Sequence, residues 1–340
     1  MLLPYVLLVL VHGALYAASV LPETMRAVRK TGIKGCGPPD FACVQVQSVT
    51  TPEPGLGEVL IKVAASSLNP DELRILEQPA VHYTLGLDVS GIVVALGAGC
   101  SSRLAIGDRV YATGIGWGMG EFAVRPEFMC GIVPGSVDLV AAGTMPTVAM
   151  TVYGALRNAG APWKTNVTVL ITAGSGGTGY VAVQLAKAMG AGFVVSAASA
   201  AHLAFVRSLG ANLVVDYRAQ SVFDVVSDRS VDVVLSNHAD NTSAVRSMPK
   251  LRAGGIYVTL DGDMLPSGTS PPTDVRLVDY DLFAPAEAVR CLAYLDAIAS
   301  FLANHTVRAL VQETFSFAAI RDALRTMAAG DVASKLAVVP

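Results

Sequence analysis

A glycine-rich segment, Ala173-Gly-Ser-Gly-Gly-Thr-Gly179, constrains the fold of this chain more than any other part of its sequence. It follows a short apolar run at residues 167–172 and precedes a helical pattern at residues 180–189. A strand, a glycine turn and a helix in this order present backbone N–H groups at a helix N-terminus, where the pyrophosphate of a dinucleotide binds. Glycine suits the turn because a Cβ atom would block both its conformation and the approach of a phosphate. The segment therefore predicts a dinucleotide-binding domain.

Strand-like and helix-like segments alternate on both sides of this loop, over residues 147–300. Such alternation indicates βαβ units in a doubly wound parallel sheet, with ligands at the carboxyl ends of the strands. Residues 25–146 instead contain short strand-like runs between Gly and Pro turns, which predicts a β-rich domain. Residues 301–340 mix short strands with one helix, and we expect them to return to the first domain. The sequence thus predicts an α/β protein of two domains.

The strand after the glycine loop ends without an acidic residue, in Val195-Ser-Ala-Ala-Ser-Ala-Ala-His202. NAD sites commonly place Asp or Glu there to bind the ribose 2′-hydroxyl, and such an acid would repel a 2′-phosphate. Its absence, together with Ser199, His202, Tyr217 and Arg218, favours NADPH. An ordinary exposed helix residue is the alternative interpretation of His202.

Composition and charge exclude several classes of protein. The 340 residues carry a formal net charge of −3, with 52% hydrophobic and 15% charged residues. That composition rules out global disorder, and the charge gives no basic field for a nucleic acid. The five cysteines are widely spaced and predict neither a disulfide framework nor a C-x-x-C pair. They are Cys36, Cys43, Cys100, Cys130 and Cys291.

Part of the high mean hydropathy, +0.51, comes from the amino terminus. Residues 1–21 contain no Asp, Glu, Lys or Arg, and a nearly aliphatic run at residues 5–11 precedes small residues. Ala17 and Ser19 fit the −3 and −1 positions of a signal peptidase site, which predicts a leader at residues 1–19 and delivery to the secretory pathway or the extracellular space. The leader lacks the usual Lys or Arg. A signal anchor, a bipartite plastid leader and a cryptic mitochondrial presequence are the alternatives.

Three N-glycosylation sequons agree with secretion, although accidental tripeptides explain them equally well. They begin at Asn166, Asn241 and Asn304. After the leader, no stretch has the length and apolar character of a transmembrane helix.

A series of short motifs runs in order through residues 25–340: Pro52-Glu-Pro-Gly-Leu-Gly-Glu-Val59, Leu68-Asn-Pro70, Leu85-Gly-Leu-Asp-Val-Ser-Gly91, Ile106-Gly-Asp-Arg-Val110, Thr151-Val-Tyr153, the glycine loop, Ser208-Leu-Gly-Ala211 and Leu251-Arg-Ala-Gly-Gly255. Together they resemble the medium-chain dehydrogenases/reductases, specifically the zinc-free quinone oxidoreductase branch with its zeta-crystallin-like and reticulon-interacting members. The resemblance implies a GroES-like catalytic domain, a Rossmann domain, a nicotinamide in the cleft between them, and a homodimer.

The resemblance also implies the residues of the site. Asn69 would lie near the nicotinamide and the substrate, with Tyr83 and Trp117 as further catalytic cleft residues. A turn role is the alternative for Asn69, and core packing is the alternative for Tyr83 and Trp117. The expected cofactor-binding residues are Thr151, Gly174, Ser175, Gly176, Gly177, Thr178, Gly179, Ser199, His202, Tyr217, Asn237 and Lys335.

Zinc is not expected. Asn69 stands where zinc alcohol dehydrogenases of this superfamily have a Cys ligand, and the sequence lacks the four closely spaced Cys of their structural lobe. Without a Lewis acid to stabilise an alkoxide, hydride transfer from NADPH to a quinone or an α,β-unsaturated carbonyl is favoured over alcohol oxidation. A 2-enoyl-thioester reductase and a non-catalytic NADPH-binding protein are the alternatives.

Four departures from the usual motifs of the branch leave the substrate open. Glu72 replaces an Asp and Leu76 replaces an Arg. Asn237-His-Ala-Asp240 replaces a Gly-Gly loop, and Ala333-Ser-Lys335 replaces Arg-Gly-Lys.

Overall fold

The computed structural model describes residues 8–11, 14–17, 21–32, 36–78, 83–164, 166–237 and 242–340. The helices in this part of the chain are α1 (Pro70–Glu77), α2 (Leu139–Ala142), α3 (Pro146–Asn158), α4 (Gly177–Ala188), α5 (Leu203–Ser208), α6 (Val222–Val225), α7 (Ser243–Ser247), α8 (Pro285–Ala288), α9 (Cys291–Ala303) and α10 (Ile320–Ala328). None of these described helices is long and apolar enough to cross a membrane.

The strands are β1 (Leu8–Val11), β2 (Ala14–Ala17), β3 (Thr24–Lys30), β4 (Val44–Thr50), β5 (Glu58–Ser67), β6 (Tyr83–Thr84), β7 (Val89–Leu96), β8 (Arg109–Ala112), β9 (Phe122–Pro126), β10 (Cys130–Ile132), β11 (Val167–Ile171), β12 (Ala191–Ala198), β13 (Leu213–Asp216), β14 (Val231–Ser236), β15 (Leu251–Thr259), β16 (Arg276–Asp279), β17 (Val311–Ser316) and β18 (Lys335–Val339). Within the predicted leader, β1 and β2 form an antiparallel pair. The predicted cleavage site, at residues 18–20, lies outside the described residues.

The first domain is built around β5, the long central strand of a seven-stranded sheet with the order β10-β8-β7-β5-β18-β17 and β9 also on β5. The last strand of the chain, β18, pairs antiparallel with β5 and parallel with β17. The C-terminal segment therefore completes the sheet of the first domain and carries Lys335 to it. A smaller sheet, β4-β3-β6, packs beside it.

The second domain is a six-stranded parallel sheet with the order β13-β12-β11-β14-β15-β16. Its central strands are continuous apolar runs because helices cover both faces of a doubly wound sheet. The chain reverses its winding direction between β11 and β14, which makes the carboxyl ends of these strands the expected ligand site. This topology confirms the predicted α/β fold.

One hydrophobic core connects the two domains. It joins Tyr111 and Val133 of the first domain to α3, α4 and α9. The Tyr111 hydroxyl also donates a 2.6 Å hydrogen bond to the carbonyl oxygen of Leu295 in α9. Because a shared core resists relative motion of its two sides, the cleft between the domains has well-defined walls.

Cys36 and Cys43 form a disulfide, which the sequence analysis did not predict. The turn between them brings their Cα atoms to 5.5 Å, within the range that a disulfide requires. Both residues are buried in a core cluster with Phe41, Phe317 and Leu324. The bridge thus closes the turn, and the packing of the cluster holds the turn against the C-terminal segment. Cys100, Cys130 and Cys291 are free thiols.

Candidate functional site

A cavity of about 1010 Å³ lies between the two domains, at the carboxyl ends of the parallel strands. Its walls come from α1, α3, the glycine loop, the ends of β14, β15 and β16, and the C-terminal segment. The cavity therefore brings the predicted dinucleotide loop and the predicted catalytic residue Asn69 to one space.

The glycine loop has a shape that only glycine allows at two of its positions. A Cβ atom on Gly174 would lie 2.1 Å from Ser196 Oγ, and one on Gly179 would lie 2.0 Å from the carbonyl oxygen of Ala173. At Gly176, the N-cap of α4, the nearest atom would be 3.5 Å away. Gly174 and Gly179 thus allow the close packing of strand and helix, while Gly176 keeps the helix N-terminus open to the cavity. A pyrophosphate fits such an N-terminus.

Asn69 is held from two sides in the wall of this cavity. Its Nδ2 donates to Asp88 Oδ2 at 2.9 Å, and its Oδ1 accepts from Lys335 Nζ at 2.6 Å. Lys335 Nζ also donates to the carbonyl oxygen of Leu68 at 2.6 Å. Asn69, Asp88 and Lys335 are all buried. Burial lowers the pKa of Lys335, and the nearby carboxylates of Asp88 and Glu72 partly oppose that shift.

Asp88 is the centre of this buried cluster. Besides Asn69, its carboxylate accepts from Ser67 Oγ and from the backbone N–H of Thr147, each at 2.7 Å. Thr147 lies in the first turn of α3, so Asp88 links β5, the helix that joins the domains, and the C-terminal strand. Asp88 is not among the site residues expected from the sequence. An acid inside the apolar motif at residues 85–91 was the signal for it.

Glu72 fixes the backbone around Asn69. Its carboxylate accepts from the N–H of Asn69 at 2.6 Å and from that of Leu87 at 3.2 Å. Burial is the main reason that the pKa of Glu72 is raised to about 8. Glu72 stands where the branch usually has Asp, and here it closes the capping box at the start of α1. Leu76, which replaces an Arg, is buried in the core.

Asn237 offers an unused donor to the cavity. Its Oδ1 accepts from Thr172 Oγ1 at 2.8 Å, while its buried Nδ2 has no partner among the described residues. It follows β14 directly, and Thr151 of α3 lines the same cavity. The remainder of that loop, residues 238–240, lies outside the described residues. A buried amide without an acceptor fits a cofactor or substrate that brings a carbonyl oxygen.

The corner at the ends of β12 and β13 is more open. Tyr217 lines the cavity and is 55% exposed. Ser199 and His202 lie just beside it, with Ser199 Oγ at 3.2 Å from His202 Nδ1. Asp331, in the C-terminal segment, places Oδ1 at 4.0 Å from the same nitrogen. No sequence pattern indicates this acid, because Asp331 is more than a hundred residues from β12.

Tyr83 and Trp117 are not among the described residues that line the cavity. Trp117 is partly exposed, and the Arg29 guanidinium lies 5.6 Å from the centre of its ring. Tyr83 packs against Gly116, and burial together with Glu72 raises its pKa to about 12. The structure thus brings Asn69, Thr151, Tyr217, Asn237, Lys335 and the glycine loop together, and leaves these two aromatic residues outside that wall.

A cluster of metal ligands is also absent from the part of the chain that the structure describes. No group of three or more His, Cys, Asp or Glu side chains there could hold a metal ion.

Two family models match the chain. Residues 55–151 match the alcohol dehydrogenase GroES-like domain, and residues 209–338 match a model described as zinc-binding dehydrogenase. A quinone oxidoreductase from Pongo abelii is 30% identical over 248 residues, which are 70% of this chain and 73% of that protein. The chain belongs to the quinone oxidoreductase branch of the medium-chain dehydrogenases/reductases.

Other relatives of this branch match shorter segments. The 2-methylene-furan-3-one reductase of Solanum lycopersicum is 30% identical over 67% of this chain, and the chain spans 62% of that protein. The chloroplast envelope quinone oxidoreductase homolog of Arabidopsis thaliana is 36% identical over 50% of the chain, which spans 55% of it. The structure of the quinone oxidoreductase from Coxiella burnetii has the same fold, with a TM-score of 0.78, 24% identity, and coverage of 93% of this chain and 99% of that one.

Proposed function

We propose that this chain is an NADPH-dependent reductase that transfers hydride to a quinone or an α,β-unsaturated carbonyl. The observation that carries the proposal is the shared cavity, in which Asn69 and Lys335 face the glycine loop. The chain spans 62% of a 2-methylene-furan-3-one reductase and 55% of a quinone oxidoreductase homolog, and the names of these two relatives support the reaction class.

The residues on the wall have distinct roles in this proposal. The glycine loop and the N-terminus of α4 bind the pyrophosphate, and Tyr217, Ser199 and His202 bind the adenosine ribose end. Asn237 and Thr151 orient the nicotinamide, which supplies the hydride. Asn69 and Lys335 present two fixed polar groups beside it, and because Asp88 holds both, little reorganisation is needed when a substrate binds.

Zinc has no role in the proposed reaction. The resemblance implies that Asn69 stands where zinc-dependent members have a ligand, and an amide bound to Lys335 and Asp88 is a poor metal donor. We expect activity to survive treatment with a chelator and the purified protein to contain no stoichiometric zinc. Loss of activity on chelation, restored by zinc, would contradict this part of the proposal.

The charge at the cavity mouth favours a small uncharged acceptor over a coenzyme A thioester. Four carboxylates line it, and they belong to Asp71, Asp261, Asp279 and Asp281. Arg74 is shared between Asp71 at 3.2 Å and Asp261 at 3.6 Å. A second guanidinium on the wall, Arg246, is bound to Asp224. This excess of negative charge repels the phosphates of a coenzyme A carrier.

NADPH oxidation with a panel of quinones and enones tests the proposed function, with crotonyl-coenzyme A as the competing substrate. We expect turnover of the neutral acceptors, and a large loss in Asn69→Ala with NADPH binding retained. Faster turnover of the thioester would support the 2-enoyl-thioester reductase instead. NADPH binding measured by fluorescence, with no turnover of any acceptor, would support a non-catalytic NADPH-binding protein.

We also propose a homodimer, as the resemblance implies. The strand β16 is at the edge of the parallel sheet and, among the described strands, pairs with β15 alone. Such an edge is suited to pairing with a second copy. Light scattering coupled to size-exclusion chromatography measures the mass directly. A monomer at micromolar concentration would contradict the proposal.

For localisation we propose that residues 1–19 are a leader removed before Val20, and that the chain enters the secretory pathway. Leu21 and Met25 already belong to the folded core, so cleavage there leaves the domain complete. The Cys36–Cys43 disulfide suits an oxidising compartment. Of the three sequon residues, Asn166 and Asn304 are exposed, as N-glycosylation requires, and Asn241 lies outside the described residues. The name of the chloroplast envelope relative favours the organelle alternative. Sequencing the mature N-terminus and testing for N-glycans from the native source distinguish the two.

A further inference from the structure

An acidic residue reaches the adenosine end of the cavity from the far end of the chain. Asp331 Oδ1 lies 4.0 Å from His202 Nδ1. The side chain of Asp331 is 71% exposed and that of His202 is 21% exposed. The carboxylate is therefore at the rim of the cavity, where solvent and a ligand can both reach it.

The position of Ser199 and His202 in the fold indicates which part of the cofactor binds beside them. Ser199 and His202 follow the carboxyl end of β12, the strand whose end contacts the adenosine ribose in dinucleotide-binding sheets. Ala198 at that strand end and Tyr217 after β13 line the cavity. Gly330 and Val332, on either side of Asp331, line it as well. Asp331 therefore lies in the C-terminal segment of the cavity wall, across from the strand ends that contact the ribose.

The charges at this corner have opposing effects on a 2′-phosphate. The Arg218 guanidinium attracts it and lies 5.8 Å from the centre of the Tyr217 ring, while the His202 imidazole offers a ring nitrogen for a hydrogen bond. The pKa of Arg218 is raised first by its contact with Tyr217 and further by the carboxylates of Asp331 and Asp216. A phosphate monoester carries almost two negative charges at neutral pH, so a nearby carboxylate weakens its binding.

We propose that Asp331 is a cofactor-selectivity residue, whose carboxylate opposes the 2′-phosphate at the His202 and Arg218 corner and so limits the preference for NADPH over NADH. The proposal rests on the proposed function only in taking NADPH as the cofactor. It accounts for an acidic side chain near the end of β12, although the sequence of that strand end contains no acidic residue. NADH lacks the 2′-phosphate, so its affinity does not depend on this repulsion.

Equilibrium binding tests the proposal without turnover. Dissociation constants for NADPH and NADH are measured by dihydronicotinamide fluorescence, and those for 2′,5′-ADP and 5′-ADP by calorimetry. Asp331→Asn should tighten NADPH and 2′,5′-ADP by about 3–10-fold, from the Coulomb energy of like charges at ~8 Å in water. NADH and 5′-ADP should change by less than about twofold, and the gain should shrink in 0.5 M salt because the repulsion is screened.

Asp322→Asn is the matched control. Asp322 is 65% exposed and paired with Arg325 on α10, so its removal changes the net charge equally but leaves the corner intact. We expect it to leave all four affinities unchanged. Unchanged NADPH binding in Asp331→Asn, or equal shifts for NADPH and NADH, would overturn the proposal. A chain that shows the predicted shifts but reduces no quinone or enone overturns the proposed activity alone.

Discussion

The two ends of the cavity are built on opposite principles. At the catalytic end, Asn69, Asp88 and Lys335 are at most 3% exposed and hydrogen-bonded to one another or to the backbone. At the adenosine end, Tyr217 and Asp331 are largely exposed, and the His202–Asp331 pair is at the limit of an ion pair. Rigid burial suits the end where reacting groups must be positioned, and exposure suits the end where affinity is adjusted.

The energies of the two ends differ for the same reason. Removing one partner of a buried ion pair destabilises the fold by several kcal/mol, because the charge left behind is buried and water cannot solvate it. An exposed pair contributes about 0–1 kcal/mol, since water replaces each partner. Substitutions at the catalytic end should therefore act on folding, and those at the adenosine end on binding alone.

Asp88→Ala should have the largest effect on stability. It removes the acceptor of Ser67, Asn69 and the Thr147 N–H, and takes away the carboxylate that lies 3.9 Å from the buried Lys335 Nζ. We expect the free energy of unfolding in urea to fall by about 3–5 kcal/mol. Ser67→Ala, which removes one hydroxyl from the same cluster, should lower it by only about 1 kcal/mol. Equal losses in the two variants would contradict the central role of Asp88.

Gly179→Ala should have the next largest effect. Its Cβ would lie 2.0 Å from the Ala173 carbonyl oxygen, so the loop must shift at a cost of about 1–3 kcal/mol. Gly176→Ala is the matched control, since its Cβ meets nothing closer than 3.5 Å. Thermal unfolding should separate the two variants, with Gly176→Ala close to the wild type in stability but weaker in NADPH binding. A stable Gly179→Ala variant would show that the loop is not tightly packed.

Glu72 should give stability a dependence on pH. The folded chain retains its proton up to a pKa of about 8, against 4.5 for an unperturbed Glu. The unfolded state releases that proton at lower pH, so the contribution of Glu72 to stability falls as pH rises from about 4.5 to about 8. Urea midpoints at pH 5 and pH 8.5 should show Glu72→Gln gaining on the wild type as pH rises. Glu77→Gln, at the exposed end of the same helix, is the control and should not show this gain. Parallel pH profiles for the wild type and Glu72→Gln would contradict the prediction.

His202→Ala should have the smallest effect on stability. The side chain contacts Ser199 and a distant Asp331 carboxylate at the open corner, so we expect a change of less than about 0.5 kcal/mol in unfolding. Its effect should appear instead as weaker binding of 2′,5′-ADP with little change for 5′-ADP. A loss of stability as large as that of Ser67→Ala would remove the distinction between the two ends.

The sequence was most informative where local pattern and fold agree. The glycine loop, the alternation over residues 147–300 and the β-rich first part predicted the two sheets, because hydrophobic periodicity and turn residues are local properties. The wall positions of Asn69, Thr151, Asn237 and Lys335 followed from the family motifs. The same motifs did not predict correctly that Tyr83 and Trp117 line the cavity. An aromatic residue near a motif does not indicate which face of its strand or turn it occupies.

The sequence by itself determined the class of fold and the glycine loop, since both depend on residues adjacent in the chain. Only the tertiary structure decided which distant charges meet. Asp88 and Lys335 are brought to Asn69 by the pairing of β18 with β5, and Asp331 reaches β12 through the C-terminal segment. The Cys36–Cys43 disulfide also became visible only in the tertiary structure, where the turn between the two cysteines packs against α10. Electrostatic contacts act over a few ångströms of space, and distance along the chain does not report that separation.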